Sequence, residues 1–433
     1  MSGIVADRPA RGGRPWGLTL TPALVGFVVY MFVIMTYRLP IGTLAMVAAL
    51  TGLVLQREAL RTPTFLWLLA AWMAWAVLGY TVTRYPDLVY ESLIERGKIF
   101  LVTLVAVNAL RSGTQVRAFM LFMLVTYVLF PARSTLVNYF ITGNTLFGRA
   151  IGPFIYGNPN DLAALTIMML GPALALWASA PSGSWVRWVS VAGAAPLIVV
   201  IVLTQSRGGF LALAAMALPS AIALGRRRPW TAAAFAAVVG LTLLLAPAAF
   251  WDRMAGLGKA RRVETIGEMD PEGSARQRFA VLKNALRIID DHPLLGVGLG
   301  AYEQANFDYN PALGHLDTHN TYLNIMAETG LPGVVLFLAI VTIVVRGARD
   351  ARRRARRVLP AQAEMLRWLQ YALAGYLTAG LFGSYSRLTY PYIFLALLWS
   401  ASQAVRAQCK ALSAAQPPVP AGESVNPVAT RRR

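Results

Sequence analysis

Charged residues are scarce in this chain: they make up 14% of its 433 residues, whereas hydrophobic residues make up 56%. A soluble domain usually carries about 25% charged residues. Apolar runs recur from one end of the sequence to the other, and each has the length of roughly 20 residues that a helix needs to cross a bilayer. The composition therefore excludes an ordinary soluble enzyme and predicts an all-α, polytopic membrane protein.

Cysteine and histidine are rare as well. The single cysteine, Cys409, excludes an intrachain disulfide. The three histidines, His292, His315 and His319, do not form clusters with metal-ligand spacing, so we predict neither a metal site nor a cofactor. Acidic residues number 20 against 40 basic ones, but the basic runs are short and separated by apolar spans. We therefore expect membrane lipids as partners and no nucleic acid.

The apolar runs predict about twelve membrane spans with a large outward loop between the ninth and the tenth. The predicted spans are 19–36, 40–55, 63–82, 97–110, 115–139, 161–179, 187–204, 209–224, 231–250, 320–345, 367–385 and 390–406. Basic residues concentrate in alternate connections, which the positive-inside rule assigns to the cytoplasm together with both termini. The opposite short connections carry only isolated arginines: Arg38, Arg84, Arg96, Arg149, Arg207 and Arg387.

These spans divide the chain into five parts. The predicted parts are a cytoplasmic tail (1–18), spans one to nine (19–250), an outward loop (251–319), spans ten to twelve (320–406) and a second cytoplasmic tail (407–433). Two shorter outward segments are predicted at 83–96 and 140–160. Pro131 is expected to kink the fifth span, because proline removes a helical hydrogen bond.

The outward turn 206–209, with the sequence SRGG, is the first candidate site. The guanidinium of Arg207 matches phosphate oxygens with two parallel donors. The two glycines permit a tight turn and the approach of a bulky anion. An interfacial anchor arginine is the alternative interpretation of Arg207.

The segment 274–291 predicts an amphipathic helix in the long outward loop. Its expected apolar stripe is Phe279, Leu282, Ala285, Leu286 and Ile289, and its basic residues on another face are Arg276, Lys283 and Arg287. Such a helix can rest on anionic headgroups or line a pocket for a phosphorylated lipid. A solvated charged face is equally compatible with the pattern.

The sequence DTHN at 317–320 opens the tenth span. His319 suits a general base, because its ordinary pKa lies near 6.5, and Asp317 is placed to orient it. A structural hydrogen-bonding role is the alternative for this histidine. Glu328 is a carboxylate within an apolar span, which is a functional candidate by default, although a hydrogen bond to a neighbouring helix end is the simpler role.

Three motifs together resemble the O-antigen ligase family, which shares its fold with O-antigen polymerases and bacterial protein O-oligosaccharyltransferases. They are SRGG (206–209), HPLLGVGLGAY (292–302) and HNTYLNIMAETGLPGVV (319–335). The resemblance implies a glycosyltransferase C-like fold in the bacterial inner membrane, with a periplasmic active site. It also implies metal-independent transfer of a glycan from undecaprenyl pyrophosphate to lipid A-core oligosaccharide.

The resemblance also assigns residues to roles. It implies His319 and Arg207 as catalytic residues and Asp317, Asn320 and Glu328 as supporting ones. The pyrophosphate would be bound by Arg207 and by basic residues of the loop, for which the candidates are Arg276, Arg278, Lys283 and Arg287.

Two alternatives stay open. A polymerase or a protein O-oligosaccharyltransferase would carry the same motifs. A lipid or polysaccharide transporter is a different class, and it usually places ionisable residues near the middle of the membrane. The predicted spans contain few such residues apart from Arg133 and Glu328, which favours an enzyme that acts at the outer face.

Overall fold

The chain is almost entirely helical in the computed structural model. The structure describes residues 17–56, 58–225 and 274–415, together with Gly240, Leu244, Ala248 and Trp251. The helices with described bounds are α1 (Pro22–Thr36), α2 (Gly42–Leu55), α3 (Thr64–Tyr80), α4 (Pro86–Ala109), α5 (Gly113–Thr142), α6 (Pro159–Ser179), α7 (Trp185–Leu203), α8 (Arg207–Gly225), α9 (Ser274–Asp291), α10 (Tyr302–Tyr309), α11 (Thr321–Val358), α12 (Pro360–Ala379) and α13 (Tyr390–Ala415). Two short 3-10 turns, Phe154–Tyr156 and Pro311–Leu313, connect them. The strands in these residues, Thr145–Leu146 and Arg149–Ala150, form an antiparallel pair.

Four helices, α5, α6, α7 and α11, are each long and apolar enough to cross a membrane. Shorter apolar helices include α1, α2 and α3. Helices are the usual way to cross a bilayer, since they satisfy their own backbone hydrogen bonds. The chain is therefore a helical, multi-pass membrane protein. The count of twelve spans and the side on which each loop lies stay predictions, and the predicted ninth span (231–250) falls outside the continuously described residues.

Helix α4 is longer than the sequence pattern indicates. It begins at Pro86, whereas the pattern places an outward segment at 83–96 and starts the span at 97. Proline suits the first turn of a helix, and Asp87 follows it there. The exposed charged residues of this part, such as Glu95, interrupt the apolar run and conceal the helix. The extension matters because it carries Arg96 into the protein interior.

Helix α5 contains a π-helical turn at Val128–Ala132 with Pro131 inside it. This is the place where the sequence predicts a kink. Proline has no backbone N–H, and a π-turn is one of the ways in which a helix accommodates the interruption.

Small residues let neighbouring helices approach closely. A Cβ atom added at Gly26 of α1 would lie 2.6 Å from the backbone nitrogen of Ala49 in α2. Such contacts are common between membrane helices, where van der Waals packing is a main source of association. The helices thereby build one large hydrophobic cluster, which includes Phe27, Tyr127 and Phe394.

A second, smaller hydrophobic cluster, called here the outer cluster, fixes the segment 274–320 on the bundle. It joins Ala76 of α3 and Val89 of α4 to Ala285 and Ile288 of α9 and to Tyr302 of α10. This arrangement positions α9 and α10 against the ends of three long helices.

The outer cluster corrects the apolar stripe that the sequence predicts for α9. Ala285 and Ile289 are buried as expected, but Phe279 and Leu286 are 41% and 52% exposed. The buried face is instead completed by Val281 and Ile288. The buried stripe is therefore displaced around the helix from the predicted one. The small and β-branched side chains of Val281, Ala285 and Ile288 fit the close contacts of the outer cluster.

Helix α11 is interrupted at Gly330, which has φ 68° and non-helical geometry. At this break the backbone N–H of Leu331 donates to the carbonyl of Pro293 at 2.8 Å. Val297 and Gly298 donate in turn to the carbonyls of Ala327 and Glu328, at 2.8 and 3.1 Å. The break thus lets the 292–300 segment pair with the first part of α11.

We expect Gly330→Ala to destabilise the protein by about 3 kcal/mol, because the position has a positive φ and an added Cβ would overlap the Leu294 carbonyl oxygen. Thermal unfolding in detergent measures the effect. The matched control is Gly97→Ala in α4, where nothing lies within 4 Å of the added Cβ. Equal unfolding temperatures for both variants would contradict the role given to the break.

Candidate functional site

His319 lies immediately before α11 and has a left-handed backbone conformation, with φ 51°. The next residue, Asn320, caps the helix: its Oδ1 accepts hydrogen bonds from the backbone N–H groups of Tyr322 and Leu323 at 3.0 and 3.1 Å. A non-glycine residue with positive φ is strained, and such strain is often found at functional sites.

The start of α11 is bound to the loop 380–389, which connects α12 to α13. The hydroxyl of Thr321 donates to the Gly383 carbonyl at 2.7 Å and accepts from the Tyr385 N–H at 2.9 Å. The backbone N–H of Thr321 donates to the Gly380 carbonyl at 2.7 Å. Thr321, which follows His319 by two residues, is therefore held by three hydrogen bonds to this one loop.

The SRGG turn begins α8 in a similar way. Gln205, just before it, has φ 48°, and the hydroxyl of Ser206 accepts from the N–H of Gly209 at 3.1 Å. The same hydroxyl donates to Oδ1 of Asn160 at 2.8 Å, and Arg149 donates to that oxygen at 2.9 Å. Arg207 is the first residue of α8 and is partly exposed.

The loop 380–389 joins the SRGG turn to the start of α11. A Cβ added at Gly208 would lie 2.7 Å from Cβ of Phe382, so the glycine permits a close approach of this loop. The hydroxyl of Tyr385 donates to the carbonyl of Asn160 at 3.2 Å, while the Tyr385 backbone contacts Thr321. Arg207 and His319 therefore flank the same loop, at the same end of the helix bundle.

Three helix N-termini meet at this place, those of α6, α8 and α11. The N-terminus of a helix carries a partial positive charge and unpaired backbone N–H groups, which favour anions. Arg149 and Arg207 add full positive charges nearby. The arrangement is suited to an anionic group such as a phosphate ester.

The basic residues of α9 fall into two groups. Arg278 is partly exposed, and its charge acts on both His319 and Tyr385. Lys283 and Arg287 lie on the exposed face of α9. The side chain of Arg276 lies outside the described residues. Among the described side chains of these candidates, Arg278 is the one whose charge acts on His319.

The electrostatic surroundings of His319 favour the neutral imidazole. Burial lowers the pKa of His319 from its usual 6.5, and the positive charge of Arg278 lowers it further. Asp317 and Glu303 oppose the shift but do not reverse it. A neutral imidazole at neutral pH can accept a proton from a hydroxyl group.

Arg387 belongs to the site although sequence reasoning assigned it no role. It forms an ion pair with Glu303 of α10 at 2.6 Å. Burial alone would lower the pKa of Arg387, but Glu328 and Glu303 outweigh burial and raise it. Asp161, in the first turn of α6, also lies within electrostatic reach of Arg387 and of Asp317. Arg149 and Arg387 both belong to the isolated arginines of the outward connections, which was the signal available in the sequence.

Glu328 is buried with 2% exposure. Asn324 donates to its carboxylate at 3.3 Å, and the backbone N–H of Gly300 faces it. These contacts tie α11 to the glycine-rich 296–300 turn. Which of the two roles considered for Glu328 applies stays a prediction.

Arg96 is a second residue that the sequence pattern did not single out. It is 5% exposed, and its guanidinium donates to the Ser386 carbonyl and to the Tyr392 hydroxyl. It also lies 5.1 Å from the ring centroid of Trp72. Arg96 thus holds the loop 380–389 through Ser386, the residue that precedes Arg387.

Among residues 17–56, 58–225 and 274–415, no three His, Cys, Asp or Glu side chains are grouped closely enough to hold a metal ion. The described cations at the site are arginines from five different segments: Arg96, Arg149, Arg207, Arg278 and Arg387. The site therefore combines a neutral imidazole with a set of fixed positive charges.

The chain was compared with known protein families and with curated proteins. None of the curated proteins compared matches the chain. A family model described as O-antigen ligase matches residues 192–338, a segment that contains both Arg207 and His319. This match confirms that the chain is related to the O-antigen ligase family.

Proposed function

We propose that the protein is an O-antigen ligase of the bacterial inner membrane. It transfers a glycan from undecaprenyl pyrophosphate to a hydroxyl of lipid A-core oligosaccharide at the periplasmic face. The observation that carries the proposal is the meeting of the SRGG turn and His319 on the loop 380–389. The family match supports an enzyme that acts on lipid-linked glycans.

In this proposal the arginines bind the pyrophosphate of the donor. Arg207, Arg278 and Arg149 surround the convergent helix N-termini, and negative charge develops on the leaving phosphate oxygen as the bond to the sugar breaks. Fixed donors aimed at developing charge are often the largest contribution to catalysis. A pyrophosphate is already a stable leaving group, so the transfer does not require the chain to supply a metal ion.

His319 acts as the general base. Its neutral imidazole takes the proton of the acceptor hydroxyl while the hydroxyl oxygen attacks the anomeric carbon of the donor sugar. The bond between this carbon and the phosphate oxygen breaks, and undecaprenyl pyrophosphate leaves with the electron pair. Asp317 orients the imidazole and stabilises the imidazolium that forms.

The test of the proposal uses purified protein with a lipid-linked glycan and lipid A-core, with and without a chelator. Glycan attached to lipid A-core, in equal amounts with and without chelator, supports a metal-independent ligase. A longer glycan on the carrier lipid identifies a polymerase instead. A glycosylated protein acceptor identifies an O-oligosaccharyltransferase, and movement of intact lipid-linked glycan across proteoliposomes without transfer identifies a transporter.

We expect His319→Ala to lower kcat for glycan transfer by about 10²–10⁴-fold, because it removes the general base. The variant should insert and unfold like the wild type. His315→Ala is the matched control, since His315 is exposed and stacks on Phe307. Transfer at the wild-type rate by His319→Ala refutes the assignment of the base.

We expect Arg207→Lys to lose nearly as much kcat as Arg207→Ala, about 10²–10³-fold, because an ammonium cannot make the two parallel contacts of a guanidinium. Arg187→Lys is the matched control; its guanidinium stacks on Trp177 at 5.1 Å. Both measurements use the reconstituted transfer reaction. Full activity of Arg207→Lys would identify Arg207 as a simple interfacial anchor.

The pH profile tests the surroundings of His319. Because the pKa of His319 is lowered, we expect kcat/KM to remain high as pH falls through 6.5 and to decline only at lower pH. Arg278→Gln removes a positive charge and should move this decline to higher pH, whereas Asp317→Asn should move it to lower pH. Shifts of both variants in the same direction contradict the assignment of His319 as the titrating base.

A further inference from the structure

A cavity of about 290 Å³ lies between the α3–α4 connection and the segment that follows α9. Its wall includes Arg84, Tyr85, His292 and Tyr309. Its volume is at the lower end of the range of roughly 300–1,000 Å³ that ligand pockets occupy. The cavity can therefore enclose one small polar group, such as a sugar ring.

The polar atoms of this cavity match a group that both donates and accepts hydrogen bonds. The hydroxyl of Tyr85 donates to Asp308 at 2.8 Å, and the hydroxyl of Tyr309 donates to Asp291 at 2.8 Å. Each phenol oxygen thus keeps its lone pairs for an incoming donor, while the guanidinium of Arg84 offers donors only.

The two phenols keep their protons over the physiological range. Burial and the hydrogen bond to Asp308 raise the pKa of Tyr85 to about 12. Burial and the hydrogen bond to Asp291 raise the pKa of Tyr309 in the same way. Sugar hydroxyls both donate and accept, so a carbohydrate fits this set better than a simple anion does.

One rim of the cavity is apolar and exposed. Val82 and Leu294 line it and are 61% and 65% exposed. Leu331, which is 52% exposed, adjoins them through its backbone hydrogen bond to Pro293. Exposed apolar side chains at the end of membrane-spanning helices are suited to contact with acyl chains.

Helix α10 connects the cavity to the candidate site. Glu303 at one end pairs with Arg387, and its negative charge favours the protonated form of His319. Tyr309 at the other end lines the cavity. Six residues separate them, which corresponds to about 9 Å of helical rise, a distance that an oligosaccharide can span.

We propose that this cavity holds a sugar of the acceptor glycolipid while the acyl chains of the acceptor lie against Val82, Leu294 and Leu331. The inference rests on the function proposed above, in which the pyrophosphate of the donor occupies the SRGG side. The attacking hydroxyl has to approach the anomeric carbon in line with the departing phosphate. The acceptor therefore reaches His319 from the side of α10.

The experiment measures KM separately for acceptor and donor in the transfer reaction. We expect the double variant Tyr85→Phe/Tyr309→Phe to raise KM for lipid A-core by roughly tenfold, which corresponds to the loss of two hydrogen bonds. Its kcat and its KM for the donor should be unchanged, because the lost hydrogen bonds hold the acceptor equally well in the ground state and in the transition state. Arg84→Gln, at an exposed position, is a second variant with the same expectation.

The matched control is Tyr90→Phe, because Tyr90 is 58% exposed on α4 and does not line the cavity. It should leave all three constants unchanged. A raised KM for the donor with an unchanged KM for the acceptor overturns the proposal, as does an effect of Tyr90→Phe equal to that of the double variant.

A binding measurement separates this proposal from the proposed function. Core oligosaccharide released by mild acid is added to the His319→Ala protein, and saturation-transfer NMR detects its binding. Binding that the two cavity variants abolish supports the cavity assignment even if the wild type transfers no glycan. Binding of core oligosaccharide that the cavity variants leave intact overturns the assignment. The assignment is also overturned if these variants weaken the binding of phosphatidylglycerol but leave the binding of core oligosaccharide unchanged.

Discussion

The hydrogen bonds between Thr321 and the loop 380–389 determine the geometry of the candidate site. Thr321 makes three such bonds in an environment from which water is largely excluded. An unpaired polar group in such a place is costly, so the loop and the start of α11 stay together. His319 lies two residues before Thr321, and Gly208 of the SRGG turn packs against Phe382 of the same loop. The relative position of His319 and Arg207 thus depends on one short connection.

Charge at the site is balanced rather than uniformly positive. Arg387 faces Glu303, Glu328 and Asp317, while Arg278 acts on His319 from α9. The carboxylates hold Arg387 in place, and the remaining positive charge lies toward the SRGG turn and the helix N-termini. The two sides of the site consequently differ in charge, one being paired with carboxylates and the other positive.

Much of the helical architecture follows from the sequence, because long apolar runs in a membrane protein have few alternatives to helices. Short motifs also singled out Arg207 and His319, which the structure places beside one loop; their roles stay predictions. The beginning of α4 was missed because its exposed charges interrupt the apolar pattern. Arg149, Arg387 and Asn160 could not be assigned together, since hydrogen bonds between residues far apart in sequence bring them to one place. The face of α9 that is buried was likewise decided by its neighbours in the outer cluster.

The separation of the main hydrophobic cluster from the outer cluster has a consequence for local opening. Met326 packs against both, but the outer cluster is otherwise built from its own small set of side chains. They lie on α3, α4, α9, α10 and α11 and on the connection between α9 and α10. The free energy of detaching α9 and α10 from the bundle therefore depends on few residues. It is smaller than the free energy of unfolding the whole bundle. Hydrogen exchange in these two helices can proceed by a sub-global fluctuation, while the long helices beneath them stay protected.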